Sequence, residues 1–400
     1  MFGVKTFMVA KAKKASLRAK FCALSLGQQG KKLRTGGKQA LFTFSDRRSD
    51  QDVPRYQYTL VKFFADNGYT VYLYKKVDFA EFLRLGHFGW RLYAMSNVKF
   101  VSELPENTRD IFYVFDGEDP EDPLLNRPWK KLVYFNSMKP VTWTIGRETL
   151  DVPYGIYPHL YHYGQHRRLQ TYRTSERKVR VFFAGNAVPM YYNNPVLKKY
   201  GQMTRLEAMN SLLEARPDIR HRPDKNEFDA LWKGAYKHEC VLADFTKFKI
   251  PPKDWLGILS KADFFICFSG TDFPMSHNTV ESLAVGTIPI ISYGDWFDPP
   301  LENKKNALVY TDKKDLARKV EEAMNMSADE IALLKSGAQR YYDEHLSPES
   351  FMRRFEETGE TPTLVQMRRL LVTDADEAGN ARMKKLQARI AGLKRSALHV

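Results

Sequence analysis

The sequence predicts an α/β protein of two Rossmann-like, doubly wound domains. Two features predict it. Short apolar runs of strand length alternate with helix-length stretches that end at Gly, and this rhythm occurs twice. Between the two series, residues 154–177 are rich in Tyr, His and Gly and fit no regular element, which marks an inter-domain crossing. The 400 residues, 43% hydrophobic and 13% aromatic, are enough for two cores of ordinary size.

Residues 1–38 read as a basic leader without a single acidic residue. Lys11, Lys13, Lys14, Arg18 and Lys20 alternate with Leu17, Phe21 and Leu24. The stretch reads either as a disordered basic leader or as an amphipathic helix lying on an anionic membrane surface. The formal net charge of +15 points to an anionic partner, and much of the excess belongs to the ends of the chain. There is no apolar run of about 18 residues and no signal-peptide pattern. Cys22, Cys240 and Cys267 are too widely spaced for a disulfide framework or a zinc site. These features together point to a cytoplasmic protein, peripheral on the inner membrane face if the basic ends bind lipid.

The first domain is expected over residues 39–153. Residues 40–44 form a strand, a polar loop follows, and a helix begins at Pro54 with Tyr58, Val61, Phe63 and Phe64 on its apolar side. Asn67 and Gly68 end it, and residues 70–74 form the next strand. A helix over 78–85 and strands over 98–101, 111–115, 131–135 and 141–145 complete the series.

The second domain is expected over 178–357. Residues 179–184 form a strand that turns at Gly185 and Asn186; a long loop leads to a helix over 203–215, and a second helix covers 227–236. Residues 263–268 are a buried strand and 269–274 a loop; Ser276 caps a helix that carries Glu281, Gly286 ends it, and 287–292 are another strand. This is a βαβ unit, whose ligands sit where strand ends meet the helix N-terminus. That junction offers Ser269, Gly270, Thr271, Ser276, His277, Asn278 and Glu281. A strand at 307–310, helices over 315–324, 327–342 and 348–355, and a basic helical tail over 358–400 follow.

The segments WLGILSKADFFICFSG, Ser276 to Gly286, and Ile288-Pro289-Ile290 resemble the C-terminal domain of GT-B-fold glycosyltransferases, the exostosin-like type above all. The resemblance covers about 178–357 and implies a nucleotide-sugar-binding domain there, with 39–153 as the acceptor domain. It implies that Glu281 binds the ribose hydroxyls and that Ser276, His277 and Asn278 meet the diphosphate or donor sugar. It also implies that Gly185, Asn186 and Arg205 flank the donor phosphates, a guanidinium fork being suited to a diphosphate leaving group. Lys198 and Lys199 compete for that role. Taken alone, Glu281 reads as an exposed helix carboxylate and Arg205 as a solvated helix face.

The implied reaction moves a sugar from a nucleotide-sugar to a saccharide or lipid-linked acceptor, in cell-surface polysaccharide or glycan synthesis. An inverting enzyme needs a base. Asp116, after the strand over 111–115, is the first candidate; Asp46 and Asp52 come next, then His159 and His162. As acidic turn residues, the aspartates equally read as caps. Arg47 and Arg48 could hold an anionic acceptor. The one Asp-x-Asp, Asp374 and Asp376, follows no strand, so no metal and no cofactor are expected. A nucleotide-sugar epimerase of the same fold is the near rival. A basic nucleic-acid-binding protein is the distant one, and nucleic acid is not the expected partner.

Overall fold

The computed structural model describes residues 2–29, 37–45, 53–117, 119–136, 148–234, 236–244, 249–271 and 273–367. The chain divides into two compact units, Met1–Val152 with Phe351–Val400, and Pro153–Ser350. Each is a wholly parallel sheet with helices between its strands, and so a doubly wound α/β unit. No helix of the described residues is long and apolar enough to cross a membrane.

In chain order the strands are β1 (Gln39–Thr43), β2 (Thr70–Tyr74), β3 (Val98–Val101), β4 (Ile111–Phe115), β5 (Lys131–Asn136) and β6 (Glu148–Val152). Then come β7 (Val179–Gly185), β8 (Arg220–His221), β9 (Cys240–Asp244), β10 (Ala262–Cys267), β11 (Ile288–Ile291), β12 (Leu308–Val309) and β13 (Thr363–Met367).

The first unit's sheet runs β3-β2-β1-β4-β5-β13-β6. Strand order reverses between β1 and β4, which pair in parallel from Gln39↔Ile111 onward. Leu41, Tyr72, Tyr113, Phe115 and Leu364 fill one face. On the other, the Phe42 ring meets Phe64 edge-on at 5.3 Å, and Phe64 meets Phe355 at 5.0 Å. Helix Pro348–Glu357 therefore brings the chain back onto this unit through Phe351 and Phe355, and β13 inserts between β5 and β6.

That insertion corrects the expectation of a helical tail from 358. Thr363, Leu364 and Val365 are β-branched or apolar and fully buried, but their partners lie more than 200 residues away, beyond the reach of a local pattern. Residues 368–400, with Asp374 and Asp376, lie outside the described residues, as does the strand expected at 141–145.

Of the two readings of the basic leader, the helical one holds over Phe2–Gln29. In that helix the Phe21 ring packs at a tilt against Phe79 and Phe82, with ring centres 5.6 and 5.2 Å apart. That side chain thus covers aromatic surface of the first unit. Lys20 Nζ lies 4.9 Å over the Trp90 ring, a cation–π contact between the leader helix and the rest of the unit.

The second unit's sheet runs β12-β11-β10-β7-β9-β8, and its order reverses between β7 and β10. Strand β9 was not expected from sequence, because four apolar residues between Glu239 and Asp244 are too few to stand out. The expected crossing, 154–177, belongs to this unit and contains helices Pro158–His162 and Leu169–Arg173. It is fastened there by Arg173, which donates to the two Asp343 oxygens at 2.8 and 2.7 Å and to the Ala284 carbonyl at 2.9 Å.

Candidate functional site

Strand β7 ends at Gly185 and β10 at Cys267, side by side at the point where strand order reverses. A Cβ on Gly185 would stand 2.9 Å from the Phe183 ring and 3.4 Å from Arg205 Nη1, so only glycine leaves room for both. A Cβ on Gly270 would meet the Phe273 and Met275 carbonyl oxygens at 2.6 and 2.9 Å. The tight loop after β10 therefore requires glycine, and the Gly270 N–H closes it on the Pro274 carbonyl at 3.0 Å.

Arg205 bridges the two strand ends. It is the first residue of helix Arg205–Ala215, set by a capping box between Thr204 and Glu207. Its Nη1 donates to the Asn186 carbonyl at 2.8 Å and its Nη2 to the Ser269 carbonyl at 3.2 Å. The guanidinium carbon lies 3.8 Å from the centre of the Tyr192 ring. The side chain is 5% exposed, Nε has no hydrogen-bond partner, and no carboxylate among the described residues is in ion-pair range. Burial pulls its pKa down, opposed by Tyr192 and Tyr293, but a guanidinium stays charged. A buried, carboxylate-free cation at the carboxyl edge of a parallel sheet is an arrangement that an anion stabilises.

The neighbouring residues hold the loops in shape. Asn186 Oδ1 accepts the Val188 N–H at 2.9 Å, so its side chain shapes the turn while its carbonyl holds Arg205. Ser269 is buried and Thr271 half-buried. The insertion after Asn186 folds back over the sheet edge. Ser292 Oγ donates to Gln202 Oε1 at 2.6 Å, and the Tyr200 ring meets Trp296 edge-on at 5.2 Å. Lys198 and Lys199 are exposed, and Lys198 pairs with Glu207 at 3.6 Å. Of the three cations considered for phosphate, only Arg205 points between the strands.

Helix His277–Val285 starts where the sequence places it. Ser276 Oγ accepts the Asn278 N–H at 3.4 Å, and Gly286 ends the helix in the left-handed region at φ 70°. Ser276, His277 and Asn278 are half-buried at its start. His277 stacks on Tyr154 at 4.5 Å, and its Nδ1 is 2.7 Å from the Gly155 carbonyl. Nδ1 therefore carries the proton, which makes Nε2 the acceptor nitrogen of the neutral ring.

Glu281 has different surroundings from those the resemblance implies. It is 1% exposed. Oε1 accepts the Tyr157 N–H at 3.0 Å and Oε2 the Trp255 Nε1–H at 2.6 Å. Burial pushes its pKa up to about 7, and the two hydrogen bonds pull it back. Both oxygens are engaged within the protein, so the carboxylate ties the 153–157 segment and Trp255 to the helix. Sequence reasoning missed Tyr157, Tyr192 and Trp255. Trp255 opens the motif that carries the resemblance, and that was its only signal. Asp244 was missed with β9; it sits in register with Gly185, is 3% exposed and pairs with Arg222 at 3.3 Å.

The described base candidates belong to different units. Asp116 closes β4 in the first unit and is 2% exposed. Its Oδ1 accepts the Ser45 N–H at 2.5 Å and its Oδ2 the Gln57 Nε2–H at 3.0 Å, so it fastens the end of β1 to the following helix. His159, in the second unit, stacks on Tyr157 at 4.8 Å; His162 is exposed. Asp46, Arg47, Arg48 and Asp52 lie outside the described residues.

No family model and no curated protein matches the chain. Solved structures do. A glycosyltransferase from Rickettsia africae is 10% identical, with 81% of this chain and 98% of that one covered, at a TM-score of 0.43. Anabaena HepE in complex with UDP is 10% identical over 80% and 99%, at 0.40. A putative UDP-N-acetylglucosamine 2-epimerase from Listeria monocytogenes is 10% identical over 82% and 99%, at 0.33.

Proposed function

We propose that the chain is a GT-B-type glycosyltransferase of exostosin-like character whose second unit holds a nucleotide-sugar. The observation that carries this reading is Arg205, a buried guanidinium with no carboxylate partner among the described residues, set between the ends of β7 and β10. A diphosphate supplies the missing countercharge, and its charge grows as the glycosidic bond breaks. A preorganised cation therefore favours the transition state over the ground state. Ser269, Gly270 and Thr271 form the adjoining loop, and the N–H groups at the start of helix His277–Val285 add a positive dipole. Glu281 contributes by holding Tyr157 and Trp255 rather than by reaching outward. Asp116 is the proposed base, with Asp46 and His159 as substitutes. Transfer is inverting and needs no metal, and the acceptor is a saccharide or lipid-linked glycan of the cell surface. The setting is the cytoplasm, at the inner membrane face.

The test is calorimetry with UDP, GDP, CMP and dTDP sugars on the wild type and on Arg205→Ala and Arg205→Lys. One donor should bind the wild type and lose about 100-fold or more in affinity to Arg205→Ala. Lys should restore little, because it lacks the fork. Unchanged affinity in Arg205→Ala would refute the site. Donor turnover without acceptor, giving an epimerised sugar, would refute transfer.

A further inference from the structure

We propose that Tyr192 is a shutter over Arg205, and that the guanidinium becomes reachable only when the segment 186–193 lifts the ring away. The inference rests on the reading of Arg205 as the donor-phosphate site and adds the residue that controls access to it.

The cation is closed off on several sides at once. Arg205 is 5% exposed, and its Nε, which has no hydrogen-bond partner, is buried. A diphosphate bound to this guanidinium therefore needs part of the protein to move. Phe183 in β7 and Ser269 just after β10 are 1% and 3% exposed and belong to the sheet and its tight loop. The segment after Gly185, in contrast, covers Arg205 from two directions. The Asn186 carbonyl accepts from Nη1 at 2.8 Å, and the Tyr192 ring lies across the guanidinium face, 3.8 Å from ring centre to carbon.

That segment is lightly held. Among its residues of described burial only Ala187 is buried, while Pro189, Met190 and Asn193 are exposed, Met190 at 75%. Helix Pro189–Tyr192 is a single turn, closed by Tyr192 N–H to the Val188 carbonyl and Asn193 N–H to the Pro189 carbonyl, both at 3.1 Å. It can lift as a unit with these bonds intact. Beyond it the chain is anchored: Leu197 and Thr204 are 0% and 1% exposed, and Gln202 accepts from Ser292 Oγ at 2.6 Å. Few buried contacts between fixed ends make local opening the least costly movement here.

The exchange has a defined sign. A ring face is a weak substitute for a countercharge, and a diphosphate supplies a full one through charge-assisted hydrogen bonds. The apparent affinity for the anion is reduced by the small fraction of chains in which the ring is away. Removing the ring stabilises the open chain relative to the closed one and takes nothing from the bound state, so binding tightens. Loss of a ligand contact or of a structural support would weaken it.

The test uses the full chain and two readouts. Phenylglyoxal labelling of Arg205, followed by peptide mass spectrometry, reads access to the guanidinium without any ligand. Calorimetry with inorganic pyrophosphate and with UDP reads affinity. Tyr192→Ala should label Arg205 about tenfold faster than the wild type and bind both anions about tenfold more tightly. Tyr192→Phe keeps the ring and should match the wild type in both. Tyr192→Leu should follow Ala, and keeps the test decisive if Ala lowers the thermal midpoint. Equal labelling rates in the wild type and both ring-free variants, or anion affinity that is unchanged or weaker in both, overturns the proposal. Labelling that depends on the ring, in a chain that binds neither anion, would support the shutter and refute the donor-phosphate reading.

Discussion

Replacing Glu281 by Gln should flatten the pH dependence of stability between pH 4.5 and 7. Burial raises the carboxyl from 4.5 to about 7 in the folded chain. Below pH 4.5 both states hold the proton. Between 4.5 and 7 the unfolded chain has lost it and the folded one keeps it, so folding takes up a proton and stability falls as pH rises. The group's stabilising contribution is thus complete below 4.5 and lost as pH rises through 7. At about 1.4 kcal/mol for each pH unit, the loss amounts to about 3 kcal/mol. Gln cannot ionise. Its amide oxygen still accepts from Trp255 Nε1, but its NH₂ faces the Tyr157 N–H, a pH-independent cost of about 1–3 kcal/mol. Urea denaturation followed by tryptophan fluorescence at half-unit steps should therefore give a wild-type-minus-variant difference that drops by about 3 kcal/mol across the window. Groups other than Glu281 cancel in that difference. Parallel curves would refute the buried, proton-holding carboxyl and reopen Glu281 as a solvent-facing ribose ligand.

Lys131 should give the opposite sign at higher pH. Burial lowers its pKa to about 8, so folding releases a proton between 8 and 10.5 and stability rises there; Lys131→Met, followed by denaturation over that range, should abolish the rise. Gly337→Ala should destabilise by about 2 kcal/mol or more in thermal unfolding although Ala favours helices, because its Cβ would stand 1.9 Å from the Lys305 carbonyl oxygen, which is backbone and cannot step aside. Asp116→Asn should keep donor affinity by calorimetry and lower turnover about 100-fold or more if the residue is the base; normal turnover would leave it as the clasp between Ser45 and Gln57.

Much of the fold was legible. Strands β1, β2, β4, β7, β10 and β11 are apolar runs bounded by turn residues, and the Ser276 cap and Gly286 stop act within a single turn of helix. Short or remote pieces were not. Strand β9 has too few apolar residues, and β13 is a strand only because β5 and β6 leave a place between them. At the site, Arg205 was legible as a cation near a helix start. Tyr192 was not, because an aromatic in a long loop carries no periodic signal.

The sequence alone determined the order of strand, loop and helix, the helix caps and the glycines that let backbone pass closely. These depend on neighbours within a few residues. Only the tertiary structure decided that Arg205 lies between two strand ends with no carboxylate partner among the described residues, and that Glu281 turns inward to Tyr157 and Trp255. The physical reason is the same in each case: burial and hydrogen-bond partners are set by residues distant in sequence, and a local pattern records a residue's period but not what faces it.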